Sequence, residues 1–210
     1  MKGRWWTLAL LLLSSACSLG DGEGELSSDQ LNVSGCWNGP FRLDPDFFAG
    51  MPYREYLTIR MQHGGDTEEV SDGALILVDD VAAVRARLQT EAAPSFRVAQ
   101  PPSIVPPGTP ITADPDPALV HLTLYLHRAC HAQNAALYSV AGQMTFRAIF
   151  NGNLSETNAD EKLTEAEFAD ITVGDPRNRV QGGDEIKDVS HIHGRLKFYF
   201  QRGQPAQPFP

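Results

Sequence analysis

Gly194-Arg195-Leu196-Lys197-Phe198-Tyr199-Phe200 alternates large apolar side chains with polar ones, then stops at Gln201-Arg202-Gly203 ahead of Pro205, Pro208 and Pro210. Successive side chains of a strand point to opposite faces, so a period of two predicts a half-buried strand with Leu196, Phe198 and Phe200 in the core. Proline cannot donate to a sheet ladder, so the residues that follow mark the end of the strand.

The same period recurs upstream. Leu57, Ile59 and Met61 alternate with Thr58, Arg60 and Gln62 before a Gly64-Gly65-Asp66 turn, and Val120, Leu122, Leu124 and Leu126 alternate with His121, Thr123, Tyr125 and His127. Met144, Phe146, Ala148 and Phe150 alternate with Thr145 and Arg147 before Asn151-Gly152, a strong turn pair. From Leu31 to Leu43 the odd-numbered residues Val33, Gly35, Trp37, Gly39 and Phe41 share one face, which reads as one strand with glycines at its bends. Residues 74–78 are an apolar run of strand length that ends at Asp79-Asp80, acids suited to cap a helix in which Val81, Val84 and Leu88 share a face. Thr164-Glu165-Ala166-Glu167 has capping-box spacing and predicts a second helical turn, although Phe168 and Ile171 suit a strand equally. The proline-rich residues 99–118 read as a long surface loop. The expected fold is mostly β, a single antiparallel β-barrel or β-sandwich domain over residues 31–210 with one or two short helices.

At the N-terminus, Lys2 and Arg4 precede an apolar run from Trp5 to Leu13 that is followed by small residues. The run is about half of the roughly 20 residues a membrane-spanning helix needs, so residues 1–16 read as a secretory signal peptide outside the fold. Ser14-Ser15-Ala16-Cys17 resembles the lipobox of bacterial lipoproteins, with Ser14 where that family usually has an aliphatic residue and Leu13 one step further back. The resemblance implies export, cleavage before Cys17, lipidation of Cys17 and a cell-envelope location. Ser18, rather than Asp, after the cysteine resembles the outer-membrane sorting pattern of some bacteria and favours that membrane over the inner one. Residues 17–30 hold Gly, Ser, acids and only two leucines, and read as a flexible tether.

Lipidation of Cys17 leaves Cys36 and Cys130 as an even pair, for which a disulfide is the natural reading in an exported chain. Strict alternation sets Cys36 on a polar strand face and Cys130 on an apolar one, so pairing requires the strand before Cys130 to end or bend after His127. The net charge of -9 includes Lys2 and Arg4, and no basic stripe appears, which excludes nucleic acid as a partner held by bulk charge.

His191-Ile192-His193 directs two imidazoles to one strand face, and His127 and His131 flank Cys130, but these read as polar-face or turn residues, and no metal or cofactor is assigned. Asn151-x-Asn153-x-Ser155 lacks the glycine and final glutamate of a calcium loop. Asp44, Asp46, Glu68, Glu69, Asp79 and Asp80 fall at turns, and there is no nucleophile elbow, zincin helix or phosphate-binding glycine loop from which to assign catalytic residues. The expected function is therefore that of a lipid-anchored envelope protein, held to the membrane by Cys17, that acts as a non-enzymatic binding or assembly module on an envelope protein partner. Gly35-Cys36-Trp37-Asn38-Gly39-Pro40-Phe41 faintly resembles the first strand of lipocalin-like barrels, which implies as the alternative a carrier of a small apolar ligand. An envelope hydrolase built from dispersed residues is the third reading.

Overall fold

A computed structural model describes residues 22–64, 71–101, 118–180 and 185–202. Among the described residues ten strands and two short α-helices follow in the order β1 (Gly22–Val33), β2 (Trp37–Leu43), β3 (Phe47–Tyr53), β4 (Tyr56–Gln62), β5 (Gly73–Val78), α1 (Val81–Leu88), β6 (Ser95–Arg97), β7 (Val120–Leu126), β8 (Ala135–Ala148), α2 (Ala159–Lys162), β9 (Leu163–Gly174) and β10 (Ser190–Tyr199), with a 3-10 turn at Pro176–Asn178 between the last two. They form one sheet in the order β2-β1-β10-β9-β8-β7-β5-β4-β3, with β6 paired to β8, so the fold is a single curled antiparallel sheet, a half-barrel, and not two packed layers.

The two edges of this sheet are consecutive in the chain. β2 runs antiparallel to β1 and β3 antiparallel to β4, and alternating directions around the remaining strands make β2 and β3 run the same way. One bent strand therefore supplies both edges, switching partners at Asp44-Pro45-Asp46, where the Asp46 amide already bonds the Gln62 carbonyl at 3.1 Å. Proline suits this corner, where no ladder donor is needed.

Inward faces match the period-two pattern. Leu57, Ile59, Met61, Val120, Leu122, Leu124 and Leu126 are fully buried, and Leu196, Phe198 and Phe200 are buried in the same contiguous apolar cluster. Asp80 caps α1 by accepting from the Ala83 amide at 2.9 Å, and Val81 and Val84 enter the core with Leu88 packed against it.

Three expectations are corrected. Residues 22–30 are not tether: they are the first part of β1, pairing Gly22 to Phe198 through Ser27 to His193, with Leu26 fully buried. The apolar surface that the segment lacks comes from other strands, because a Cβ at Gly22 would lie 2.7 Å from both the Phe48 ring and the Phe198 Cβ. Residues 31–43 are not one strand but a hairpin, with Val33 opposite Trp37 and Gly35 turning at φ +74°. Thr164–Glu167 is strand and not helix: Asn158 caps the single turn of α2, and β9 begins at Leu163 with Thr164, Ala166 and Phe168 inward. The signal peptide, Cys17, Glu68 and Glu69, and all but the ends of the 99–118 loop lie outside the described residues.

Candidate functional site

The strand directions define two ends. At the far end from the start of β1, the β1–β2 turn meets the β7–β8 turn, and Cys36 and Cys130 form a disulfide with Cα atoms 5.6 Å apart. Cys36 sits in the turn and Cys130 beyond the end of β7, so neither is held to a strand face. Along the sheet, β10 and β9 lie between the two strand pairs that the bridge joins, β1–β2 and β7–β8. Around the bridge, Gln133 donates to the Gly35 carbonyl at 2.9 Å, and Asn178 donates to Ser34 at 3.3 Å. Asp175 is almost fully buried and accepts from the Arg177 amide and Nε, each at 2.9 Å, and this hydrogen-bonded carboxylate raises the Arg177 pKa further.

The outer face of the sheet carries the other candidates. Register shifts lie between Ile192 and Gly194 on β10 and between Gly142 and Thr145 on β8, and such bulges bend strands and re-aim side chains. Both glycines permit close approach. A Cβ at Gly194 would meet the Glu25 carbonyl oxygen at 2.5 Å, and one at Gly142, φ +135°, the Asp170 carbonyl oxygen at 2.7 Å. The dent this leaves is an open cleft of about 730 Å³ whose lining includes Glu25, Thr145, Glu167, Asp170, His193 and Arg195.

Charges along this face are paired. Arg195 Nε donates to Glu25 at 3.0 Å, Arg147 to Glu167 at 2.7 Å, and Arg42 to Asp44, whose carboxyl that hydrogen bond holds below the usual range. The two histidines of His191-Ile192-His193 do point the same way, yet they engage different partners: His191 meets Asp170 at 2.7 Å, whereas His193 meets Ser27 at 2.9 Å. Among the described residues no group of three or more His, Cys, Asp or Glu is placed to hold a metal ion.

His127 is buried, 3.2 Å from Asn134 Oδ1 and stacked on Tyr125, while the disulfide engages Cys130. One buried cluster escaped the sequence reading. His121, 4% exposed, lies 2.9 Å from Asp79 Oδ2 and 3.1 Å from the Ala99 carbonyl, which also accepts from the fully buried Ser139 hydroxyl. Ser139 in turn accepts from the Leu122 amide at 2.9 Å. His121, held in turn by Asp79, and Ser139 fasten residue 99 to the sheet; no pattern of spacing joins residues 79, 99, 121 and 139, which only the fold brings together.

Asp46 accepts from the Gly64 amide and Asp80 caps α1, so these two turn carboxylates organise backbone. Asn151 and Asn153 likewise accept from backbone amides two residues on, at 2.8 and 3.0 Å. No protein-family model matches this chain, and neither a curated protein nor a solved structure is significantly similar to it.

Proposed function

We propose that this protein is a lipid-anchored component of the cell envelope, tethered through Cys17, that acts as a non-enzymatic binding or assembly module through its outer surface. The observation that carries the reading is how the surface is divided. Phe48, Phe146, Phe150 and Phe198, each fully buried, fill the inner face that a carrier of apolar ligands would hollow out. The disulfide-linked turns lie over one end, and α1 packs at the other, its Val81 amide bonded to the Glu55 carbonyl at 3.0 Å. The outer cleft offers a partner a row of paired charges, which suit a polar protein surface.

Two measurements test the reading. Metabolic labelling with a fatty-acid probe should mark the wild type and not Cys17→Ala; equal labelling of both removes the anchor. A photo-crosslinking residue at Thr145 or His193 should capture a discrete envelope protein in cells, whereas the same residue at Arg54, away from the cleft, should not capture it. Identical adducts from all three positions would count against a cleft partner.

A further inference from the structure

Four large hydrophobic side chains stand exposed among the described residues: Tyr53 at 65%, Leu154 at 52%, Tyr199 at 44% and Tyr56 at 38%. All four lie at the end of the sheet where β1 begins. Tyr53 and Tyr56 face each other across the β3–β4 turn. Gly152, two residues before Leu154, packs toward Pro52, where an added Cβ would lie 3.7 Å from the proline Cβ. Tyr199 ends β10, next to the Phe198 that pairs with Gly22, and the Phe200 amide bonds the Lys162 carbonyl at 2.9 Å, joining this strand end to α2. The patch thus surrounds the point where the chain enters the fold.

We propose that this end of the half-barrel rests in the headgroup layer of a phospholipid bilayer, with Tyr53, Tyr56, Leu154 and Tyr199 inserted and the cleft facing sideways. The inference rests on the anchoring of Cys17 proposed above. Only residues 18–21 separate Cys17 from Gly22, a path of at most about 18 Å when fully extended. An acyl group on Cys17 therefore holds this end, and no other, within reach of the lipid surface. Tyrosine is suited to that layer because its ring is apolar and its hydroxyl is wet. Arg54, at the tip of the turn, lies 5.3 Å from the Tyr53 ring centroid and can extend its charge toward phosphate as the ring enters. Arg54, Arg85 and Lys162 are offset here by Glu55, Glu156, Asp160 and Glu161, so the contact is with zwitterionic lipid and does not depend on anionic lipid.

Every described strand lies after Cys17, so the mature chain contains the whole fold and can be coupled through the Cys17 thiol to maleimide lipid in phosphatidylcholine vesicles. Coupling supplies the anchor whether or not cells acylate Cys17, which separates failure of this proposal from failure of the anchoring itself. Trp37, at the far end, is the single tryptophan after Cys17. In a Trp37→Phe, Tyr53→Trp chain, lipids brominated near the glycerol should quench emission by about twofold or more, as expected for an interfacial aromatic, while Trp37 in the wild type should be little affected. Triple replacement of Tyr56, Leu154 and Tyr199 by Ser should abolish most of the quenching without changing the unfolding midpoint. No quenching at position 53, equal quenching at 37 and 53, or shielding of position 53 that appears without vesicles and rises with protein concentration, as in a dimer, would overturn the proposal.

Discussion

Phe48 of β3 stacks on Phe198 of β10, ring centroids 5.9 Å apart and planes 22° from parallel, although these strands are not neighbours in the sheet. The contact reaches over Gly22 and Gly24 of β1 and joins the bent strand to the strand that completes the sheet. Phe198→Ala should therefore cost about 3–5 kcal/mol, the usual range for deleting a buried phenylalanine, and markedly lower the denaturant midpoint. Lys197→Ala, on the outer face and 3.6 Å from Glu165, should change stability by only about half a kcal/mol. The reverse order would mean that the register is shifted by one residue.

Deleting residues 22–25 removes their pairing with Phe198–Arg195 and should abolish cooperative unfolding. Gly24→Ala probes the same seam more gently. Its Cβ would sit 2.8 Å from the Arg195 carbonyl oxygen, so overpacking should cost about 1–3 kcal/mol in chemical denaturation.

The Cys36–Cys130 bridge closes a sequence separation of 94 residues. Loop-closure entropy assigns such a loop about 4–5 kcal/mol, so the Cys36→Ser, Cys130→Ser double variant should melt well below the wild type. Mass mapping of the native, non-reduced chain should return one linked peptide pair. Two alkylated thiols would contradict the fold at its far end.

Glu156 gathers the Asn158 and Thr157 amides, each at 2.8 Å, and the Asn151 side-chain amide at 2.7 Å. These bonds, the Asn158 amide first among them, hold its carboxyl below its ordinary value of 4.5. A depressed carboxylate stabilises the loop above its unfolded value and loses that contribution as pH falls through the folded one. Protection factors of the amides in residues 151–158, exchange measured against the intrinsic rate at each pH, should hence fall below about pH 4.5, and Glu156→Gln should lower them already at neutral pH. A flat pH response would show that Glu156 does not organise the loop that presents Leu154.

Much of the sheet was legible because its buried faces are made by their own strands, as in β4, β7 and β10. The rest was hidden for identifiable reasons. Val33 and Trp37 differ by an even number, so the alternation continues across the turn, and a hairpin looks like one strand. Residues 22–30 look too polar to fold because Phe48 and Phe198 cover their glycines. β3, Phe-Phe-Ala-Gly-Met-Pro-Tyr, has no period, since its glycine and proline accommodate a bend and an edge. Thr164 carries a helix-start pattern, but inward Thr164, Ala166 and Phe168 are claimed by the sheet. Of the outer cleft, His193 and Arg195 could be read as outward residues of one strand, but the dent arises from register shifts, and bulges leave no fixed mark in a single sequence.

The pairing of β1 with β10 also sets an order of events during synthesis. A chain made N-terminus first leaves one edge of β1, with its glycines, unpaired until the last strand has emerged, because the partner of Gly22 is Phe198. Contacts that span nearly the whole sequence form late and slowly. The sheet therefore cannot close on β1 until β10 has been made, so the pairing that completes the fold waits for nearly the whole chain, whatever the strands between have already formed.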